Sequence, residues 1–512
     1  MLVGIDTWWY DVSSTRTLGG SCTQMPDMEL IGNQHFVPKP VPGAVGAVKR
    51  ANVSAELFTI PTDDGKFIVY APLRRAAFVA NGALVDFIVR LRETGIVDEV
   101  ADPGGLVTDF LRNLEIVDGG EEPRPITEFS GDPEPTAVTL FLTTACNLRC
   151  TYCYAAAGDT PARFMSLDVA KRGIDFVAAN ARRKGLPEIE ITYHGGGEPT
   201  VHWKVMTESL QYAREVASRL GLGVKAYSAT NGVMNDSQIC WIIQNLNGLS
   251  VSFDGLPSAH DKHRLTVLGQ GSSAQVERSL RRFDEAGFPY GIRVTVTADQ
   301  IASLSDSIRH ICSNFNAQRV QVEPAYQLGR WDDAASSETE GFIAAFRAAV
   351  LVAAEYGRSL FYSAARVGAL TNHFCGITQD SFALSPDGGV SACYEVFSGD
   401  NPLSASFFYG RPTGFAGYEF NLPVLNNLRR QAVQHRAFCS GCFAKWSCAG
   451  DCYHKSLTVN GSGEFAGSDR CHITRELTKD QILAKIAGSG GLFWHEGALG
   501  QSGVSAGKEV LS

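Results

Sequence analysis

The stretch Val138-Thr-Leu-Phe-Leu-Thr-Thr-Ala-Cys146-Asn-Leu-Arg-Cys150-Thr-Tyr-Cys153-Tyr154 sets a short apolar strand, Val138–Thr143, directly before three thiols. Downstream, the runs Glu188–His194, Val224–Thr230, Leu249–Asp254, Gly291–Thr297 and Arg319–Glu323 read as strands. They alternate with amphipathic helical stretches, Leu167–Lys184, Lys204–Leu220, Ser237–Leu246 and Ala274–Ala286, the first preceded by Ser166 as a capping residue. Strands separated by helices imply parallel pairing and right-handed crossovers. Six such units fall short of a closed eight-unit barrel, so the pattern predicts an α/β fold built on a partial, open (β/α)6 barrel over 136–330. The ends of barrel strands carry active-site loops, and the three cysteines lie on the first of them.

Around this centre the chain has an ordinary globular composition: 512 residues, 44% hydrophobic and 19% charged. At roughly 100–200 residues per domain that suggests two to four domains. A net charge of −9 leaves no excess of cations for a phosphate backbone or an anionic bilayer, which argues against nucleic acid and membrane partners. Met1–Tyr10 lacks the basic start and apolar run of a secretory signal, and no apolar run of roughly 18 residues appears. The expected location is the cytoplasm. Reducing conditions there make disulfides rare, so 13 cysteines call for metal or cluster ligation.

The cysteines fall in two nodes, three in 146–153 and seven in 375–471, with only Cys22 earlier. Residues 1–55 read as an N-terminal extension. Residues 56–118 read as a winged-helix-like α+β module, with strands Leu57–Thr59 and Phe67–Ala71 followed by helices Leu84–Thr94 and Gly105–Leu114. The proline-rich and acidic stretch 119–135 reads as a linker, 331–370 as a helical bridge, 371–485 as a cysteine-rich domain and 486–512 as a flexible tail.

Gaps of three and two residues let one short loop wrap an iron–sulfur cubane, but they supply three thiolates where four are usual, so one iron is left open. A zinc knuckle lacking its fourth ligand is the bland alternative. The spacing, with Tyr152 before the third cysteine, resembles the radical S-adenosylmethionine superfamily. That resemblance implies S-adenosylmethionine chelated at the open iron and a 5′-deoxyadenosyl radical that abstracts hydrogen from a substrate. His194-Gly-Gly196-Gly197-Glu198-Pro199, after the second strand, resembles the family's glycine-rich segment for the methionine amino group, with Glu198 as a carboxylate for an ammonium. The stretches Thr230-Asn231-Gly232 and Ser252-Phe-Asp254-Gly255 offer small polar groups for ribose and carboxylate, and Arg264 a carboxylate partner. Each can equally be a turn or a helix cap, and His194 a packed histidine.

The C-terminal node reads Cys375, Gly388, Cys393, Cys439-x2-Cys442-x5-Cys448-x3-Cys452 and Cys471, which matches the seven-cysteine pattern of SPASM domains in radical enzymes that mature peptides and proteins. Two zinc ribbons are the competing reading. The resemblance implies three 4Fe–4S clusters in all. One auxiliary cluster would take Cys439, Cys442, Cys448 and Cys471, and the other Cys375, Cys393 and Cys452 with one iron open. Cys240 and Cys312 lie in apolar helical stretches and read as packing residues, while Cys22 has no assigned role.

The 56–118 module is similar to the small peptide-recognition domain of ribosomal-peptide maturases, which holds a leader peptide by strand addition. The expected partners are therefore a precursor peptide with a leader and a reductant such as flavodoxin or ferredoxin. The expected reaction is formation of a thioether or a carbon-based crosslink. The alternatives are a sulfatase-maturing, formylglycine-forming enzyme and a non-catalytic iron–sulfur protein that binds a peptide. In sulfatase-activating relatives an acidic residue follows the second SPASM cysteine. Here Tyr394 stands there and Glu395 comes next, the two candidates for handling a proton.

Overall fold

The computed structural model describes residues 49–494 apart from 327–328, 331–337, 415–416 and 462–463. Met1–Tyr10 and Cys22 lie outside the described residues. Strands β1 (Phe58–Pro61), β2 (Phe67–Ala71) and β3 (Ala76–Ala80) form an antiparallel sheet, followed by α1 (Gly82–Thr94) and α2 (Leu106–Asn113). Strand β3 is absent from the sequence reading because Ala-Ala-Phe-Val-Ala has weak strand propensity. Its pairing comes from burial instead, since Ala76, Ala77 and Phe78 are all sealed in the core.

The barrel strands are β4 (Ala137–Leu140), β5 (Glu188–Tyr193), β6 (Gly223–Thr230), β7 (Gly248–Ser252), β8 (Tyr290–Val296) and β9 (Arg319–Pro324), all paired in parallel. Between them run α3 (Leu167–Arg183), α4 (Trp203–Leu220), α5 (Asp236–Asn245), α6 (Pro257–His263), α7 (Ser273–Glu285) and α8 (Leu304–Asn314). The side chain of Ser166 accepts from the Val169 amide at the head of α3, as its position suggests. Ile292, Val294, Val320 and Val322 are buried on one face of β8 and β9. Arg293, Thr295, Gln321 and Glu323 alternate with them on the half-buried face.

The 331–370 segment is not purely helical. After α9 (Thr339–Glu355) it adds β10 (Leu360–Phe361), which extends the barrel sheet beside β9. At the other edge β11 (Ala383–Leu384) pairs in parallel with β4, and β12 (Val390–Ser391), β13 (Phe408–Thr413) and β14 (Gly417–Phe420) continue antiparallel. The result is a single sheet of 11 strands, so the cysteine-rich region grows out of the barrel rather than standing apart from it. This covers the otherwise open edge of β4.

The 119–135 segment is no loose linker. Arg74 donates to the Gly120 and Glu121 carbonyls, Glu122 accepts from Ser54 and from the Glu56 amide, and Asn372 brackets Thr127. The first part of the expected tail is structured, since a helix runs Asp469–Gly488 and β15 (Leu492–Trp494) pairs with β3, and 495–512 lie outside the described residues. Among the described residues no helix is long and apolar enough to cross a membrane.

Candidate active site

The loop after β4 carries Cys146, Cys150 and Cys153, all partly buried and unbridged. The segment beyond α6 pins it: the Arg149 amide donates to the Leu265 carbonyl at 2.6 Å and the Thr151 amide to that of His263 at 2.9 Å. Arg330, unmarked in the sequence, donates to the carbonyls of Cys150 and Ala157 and pairs with Asp159. Burial pushes the Cys146 thiol up to about 12 and that of Cys150 to about 11, the nearby Arg264 guanidinium pulling Cys150 back. These two thiols therefore keep their protons at neutral pH until a cation displaces them. Three soft sulfur donors on one loop fit a cubane with one iron lacking a protein thiolate.

Glu198 is the hub of the neighbouring strand ends. Its Oε1 accepts from the Thr200 amide and hydroxyl and from the Thr230 hydroxyl, and its Oε2 from the Asn231 amide at 2.7 Å. Burial raises its pKa, and these four donors oppose that shift. Its first duty is thus to lock β5 to β6, with one lone pair of Oε2 left for a ligand. The Asn231 side-chain amide continues the network, donating to Asn147 Oδ1 at 2.7 Å and to the Cys146 sulfur at 3.7 Å. Gly197 lets the two loops touch, because a Cβ there would sit 2.1 Å from the Ala145 carbonyl oxygen. The His194 Nδ1 accepts from the Gly195 amide, which puts the proton of the neutral ring on Nε2.

Asp254 and Arg264 form a buried two-pronged ion pair, at 2.9 Å from Nε and 3.1 Å from Nη2. Asp254 also accepts from the Tyr152 hydroxyl and the Thr295 amide, and the guanidinium stacks on the Tyr152 ring. Arg264 is thereby committed to holding the cysteine loop, with only Nη1 uncommitted to Asp254. Ser252 ends β7 half-buried.

Against the pair sits His260, whose Nδ1 accepts from the Asp254 amide and whose Nε2 faces Ser272 at 2.9 Å; Ser272 in turn donates to the Arg264 carbonyl. Burial is the main cause that lowers its pKa from 6.5 to about 4. A base with a depressed folded-state pKa stabilises the fold fully above its unfolded value, and that contribution is lost as pH falls toward 4. We expect about 3 kcal/mol of stability to vanish between pH 6.5 and 4. In cluster-free protein, denaturant titrations across that window should slope steeply for the native chain and less for His260→Gln. Parallel slopes would refute the assignment.

The segment after Cys393 closes the site from the C-terminal region. The Tyr394 hydroxyl hydrogen-bonds Thr139 on β4 at 2.8 Å, and its ring lies 4.8 Å from that of His194. Glu395 pairs with His454 at 2.8 Å; burial works against its ionisation, but Lys455, His454 and Arg470 hold its pKa at about 2. Phe397 covers Gly196, where a Cβ would fall 2.2 Å from the ring. We expect Gly196→Ala to weaken S-adenosylmethionine binding about tenfold at unchanged iron content, because a rigid ring must move. Adding Phe397→Ala should recover most of the loss in calorimetric titration; no recovery would mean that the loop itself is strained.

The other cysteines gather in two groups. Cys375 and Cys393 both lie within electrostatic reach of Cys452, whereas Cys439 and Cys448 lie within reach of Cys442 and Cys471. Arg366 ties the backbone near both groups by donating to the carbonyls of Phe374, Ser447 and Cys448. Among the described residues no three His, Cys, Asp or Glu side chains are placed to hold one metal ion. Cys312 is buried as expected, but Cys240 is exposed on α5 and is no core residue.

An open parallel barrel whose first strand ends in three thiols, interlocked with a glycine-rich second loop, defines a radical S-adenosylmethionine domain. Residues 140–303 match the Radical SAM superfamily. That match implies S-adenosylmethionine and one 4Fe–4S cluster for this domain, which the thiol loop fits. An Fe-coproporphyrin III synthase of Methanosarcina barkeri is 30% identical over 190 residues, 36% of this chain, which spans only 43% of that protein's length. The mycofactocin maturase of Mycolicibacterium smegmatis is 26% identical over 351 residues, 64% of this chain and 81% of that one. The solved structure of anSMEcpe with bound AdoMet and a Cp18Cys peptide superposes with a TM-score of 0.54 at 16% identity. That alignment covers 69% of this chain and 99% of that one, and so shares the fold.

Proposed function

We propose that the chain is a peptide maturase that abstracts hydrogen from a ribosomally made precursor and leaves a thioether or carbon-based crosslink. The observation that carries this reading is the match to the mycofactocin maturase, which covers 81% of that relative and so runs past the barrel. When bound at the open iron, S-adenosylmethionine supplies the 5′-deoxyadenosyl radical. The chain's own residues divide the remaining tasks. Cys146, Cys150 and Cys153 hold the cluster, and the Gly196–Gly197 backbone and the spare lone pair of Glu198 meet the methionine end. Thr230, Asn231 and Ser252 line the ribose side, and Asp254 with Arg264 keeps Tyr152 and the loop in place.

On this reading 371–485 is a SPASM domain with two auxiliary clusters, held by Cys439, Cys442, Cys448 and Cys471 and by Cys375, Cys393 and Cys452. Tyr394 stands where sulfatase-activating enzymes carry an acid, which favours a maturase over formylglycine chemistry. Residues 56–118 serve as the winged-helix-like reader of the leader, and a cytoplasmic flavodoxin or ferredoxin serves as reductant. The test is anaerobic reconstitution with S-adenosylmethionine, reductant and the precursor encoded beside the gene. A crosslink appears as 5′-deoxyadenosine and a peptide lighter by about two hydrogens. Colourless protein with zinc and no acid-labile sulfide would overturn the proposal.

A further inference from the structure

The four-stranded N-terminal sheet runs β1-β2-β3-β15, so its outer edge is completed by the chain's own far end. Strand β15 lies antiparallel to β3, with Leu492 opposite Phe78, Phe493 opposite Ala77 and Trp494 opposite Ala76. Successive residues of a strand face opposite ways, and both faces here are apolar. Leu492 packs with Phe78, Val85 and their neighbours under α1 and α2. Phe493 joins Ile60, Ile68, Ile482 and Ile486 on the other side, with the Lys485 ammonium 5.1 Å above its ring.

Three features make this strand exchangeable rather than integral. It spans three residues against five in β3, so the pairing stops short of Val79 and Ala80. Both of its described side chains are only partly buried. It hangs from the end of the Asp469–Gly488 helix through Gly490 and Gly491, whose φ values of 74° and 101° suit glycine alone and whose surroundings leave open space. A longer extended peptide could pair with the whole of β3 and use the same two apolar faces, which is strand addition with the seat already occupied.

We propose that Leu492–Trp494 is a tethered, displaceable occupant of the β3 edge, competing with an extended apolar peptide that binds there in trans. This rests on the maturase reading, in which such a peptide is the substrate's leader. A tether raises the effective concentration of the resident strand to about the millimolar range, so an incoming peptide binds only by outcompeting it. Occupancy of the edge would then report to the helix that starts at Asp469 and carries Cys471, because Ile482 and Ile486 of that helix pack on the same sheet.

The experiment compares the cluster-loaded full chain, a chain ending at Gly491, and Phe493→Asp. The probe is a fluorophore-labelled synthetic peptide of residues 488–500, with a scrambled peptide as control. We expect the chain ending at Gly491 to bind the probe saturably and at least about tenfold more tightly than the intact chain, with Phe493→Asp in between. Hydrogen exchange at Ala76–Ala80 should speed up on truncation and slow again with the probe. Equal affinity in all three proteins, binding of the scrambled peptide, or β3 amides indifferent to truncation would overturn the proposal. So would concentration-dependent dimerisation of the truncated chain that blocks the probe, because β3 edges would then pair between copies. Failure of the intact protein to release 5′-deoxyadenosine would count against the maturase reading instead, and leaves these binding readouts standing.

Discussion

On the three-cluster proposal, replacing Cys146, Cys150 and Cys153 together by alanine is expected to abolish 5′-deoxyadenosine release while about eight of about twelve irons stay in place. The argument is spatial. The three thiols sit on one loop after β4, whereas the seven cysteines of 375–471 lie on segments after β10, so on that proposal emptying the first set removes no ligand from the second. Loop closure also survives, because Arg330 and the His263 and Leu265 carbonyls grip backbone rather than sulfur. Iron and sulfide assays with product chromatography on anaerobic protein decide the matter. The converse variant, Cys439→Ala with Cys442→Ala, should lose about four irons and loosen the C-terminal third first, because cluster ligation is coupled to folding. Residual cleavage in the first variant, or loss of all its iron, would show that the ligand sets are wrongly drawn.

The barrel was legible because each strand is a short apolar run between helices with a period of their own, a pattern that burial on both sides of a parallel sheet enforces. The place of the first three cysteines was legible because they follow directly on an apolar strand, which sets them on a strand-end loop of the barrel. What escaped the sequence has long-range causes. Strands β10, β11 and β12 are two residues long and exist because an open sheet edge lay beside them. Arg330 reads as any surface arginine until the fold brings it to the Cys150 carbonyl at 2.6 Å. Glu198 and Arg264 carry the residue types that cofactor binding needs, but the structure spends most of their capacity on Thr200, Thr230, Asn231 and Asp254. Composition marks 119–135 as a linker because it has few apolar residues, whereas its order comes from hydrogen bonds to Ser54, Arg74 and Asn372.

Arg470→Met is expected to destabilise the C-terminal region by ~3–5 kcal/mol, the usual result of stranding one charge of a buried pair. Arg470 precedes Cys471 and Asp451 precedes Cys452, so this ion pair, at 2.8 and 2.9 Å, ties a cysteine of one thiol group to a cysteine of the other. The same guanidinium donates to the Tyr326 hydroxyl, just beyond the end of β9, and lies over the Tyr326 and Tyr362 rings at 4.8 and 5.4 Å. One cation thus joins the barrel to both cysteine groups. Asp451→Asn is the matching probe, because Asp451 has φ 62° and asparagine tolerates that left-handed region as well as any residue but glycine. If the clamp is real, the double variant costs less than the sum of the two singles by at least ~2 kcal/mol, since removing both charges leaves neither stranded. Denaturant midpoints followed by the iron–sulfur absorbance measure all three, and iron retained after gel filtration reports both thiol groups at once. Strict additivity would mean that the two side chains are neighbours without being coupled. Loss of iron from one group alone would place the clamp inside that group rather than between the two.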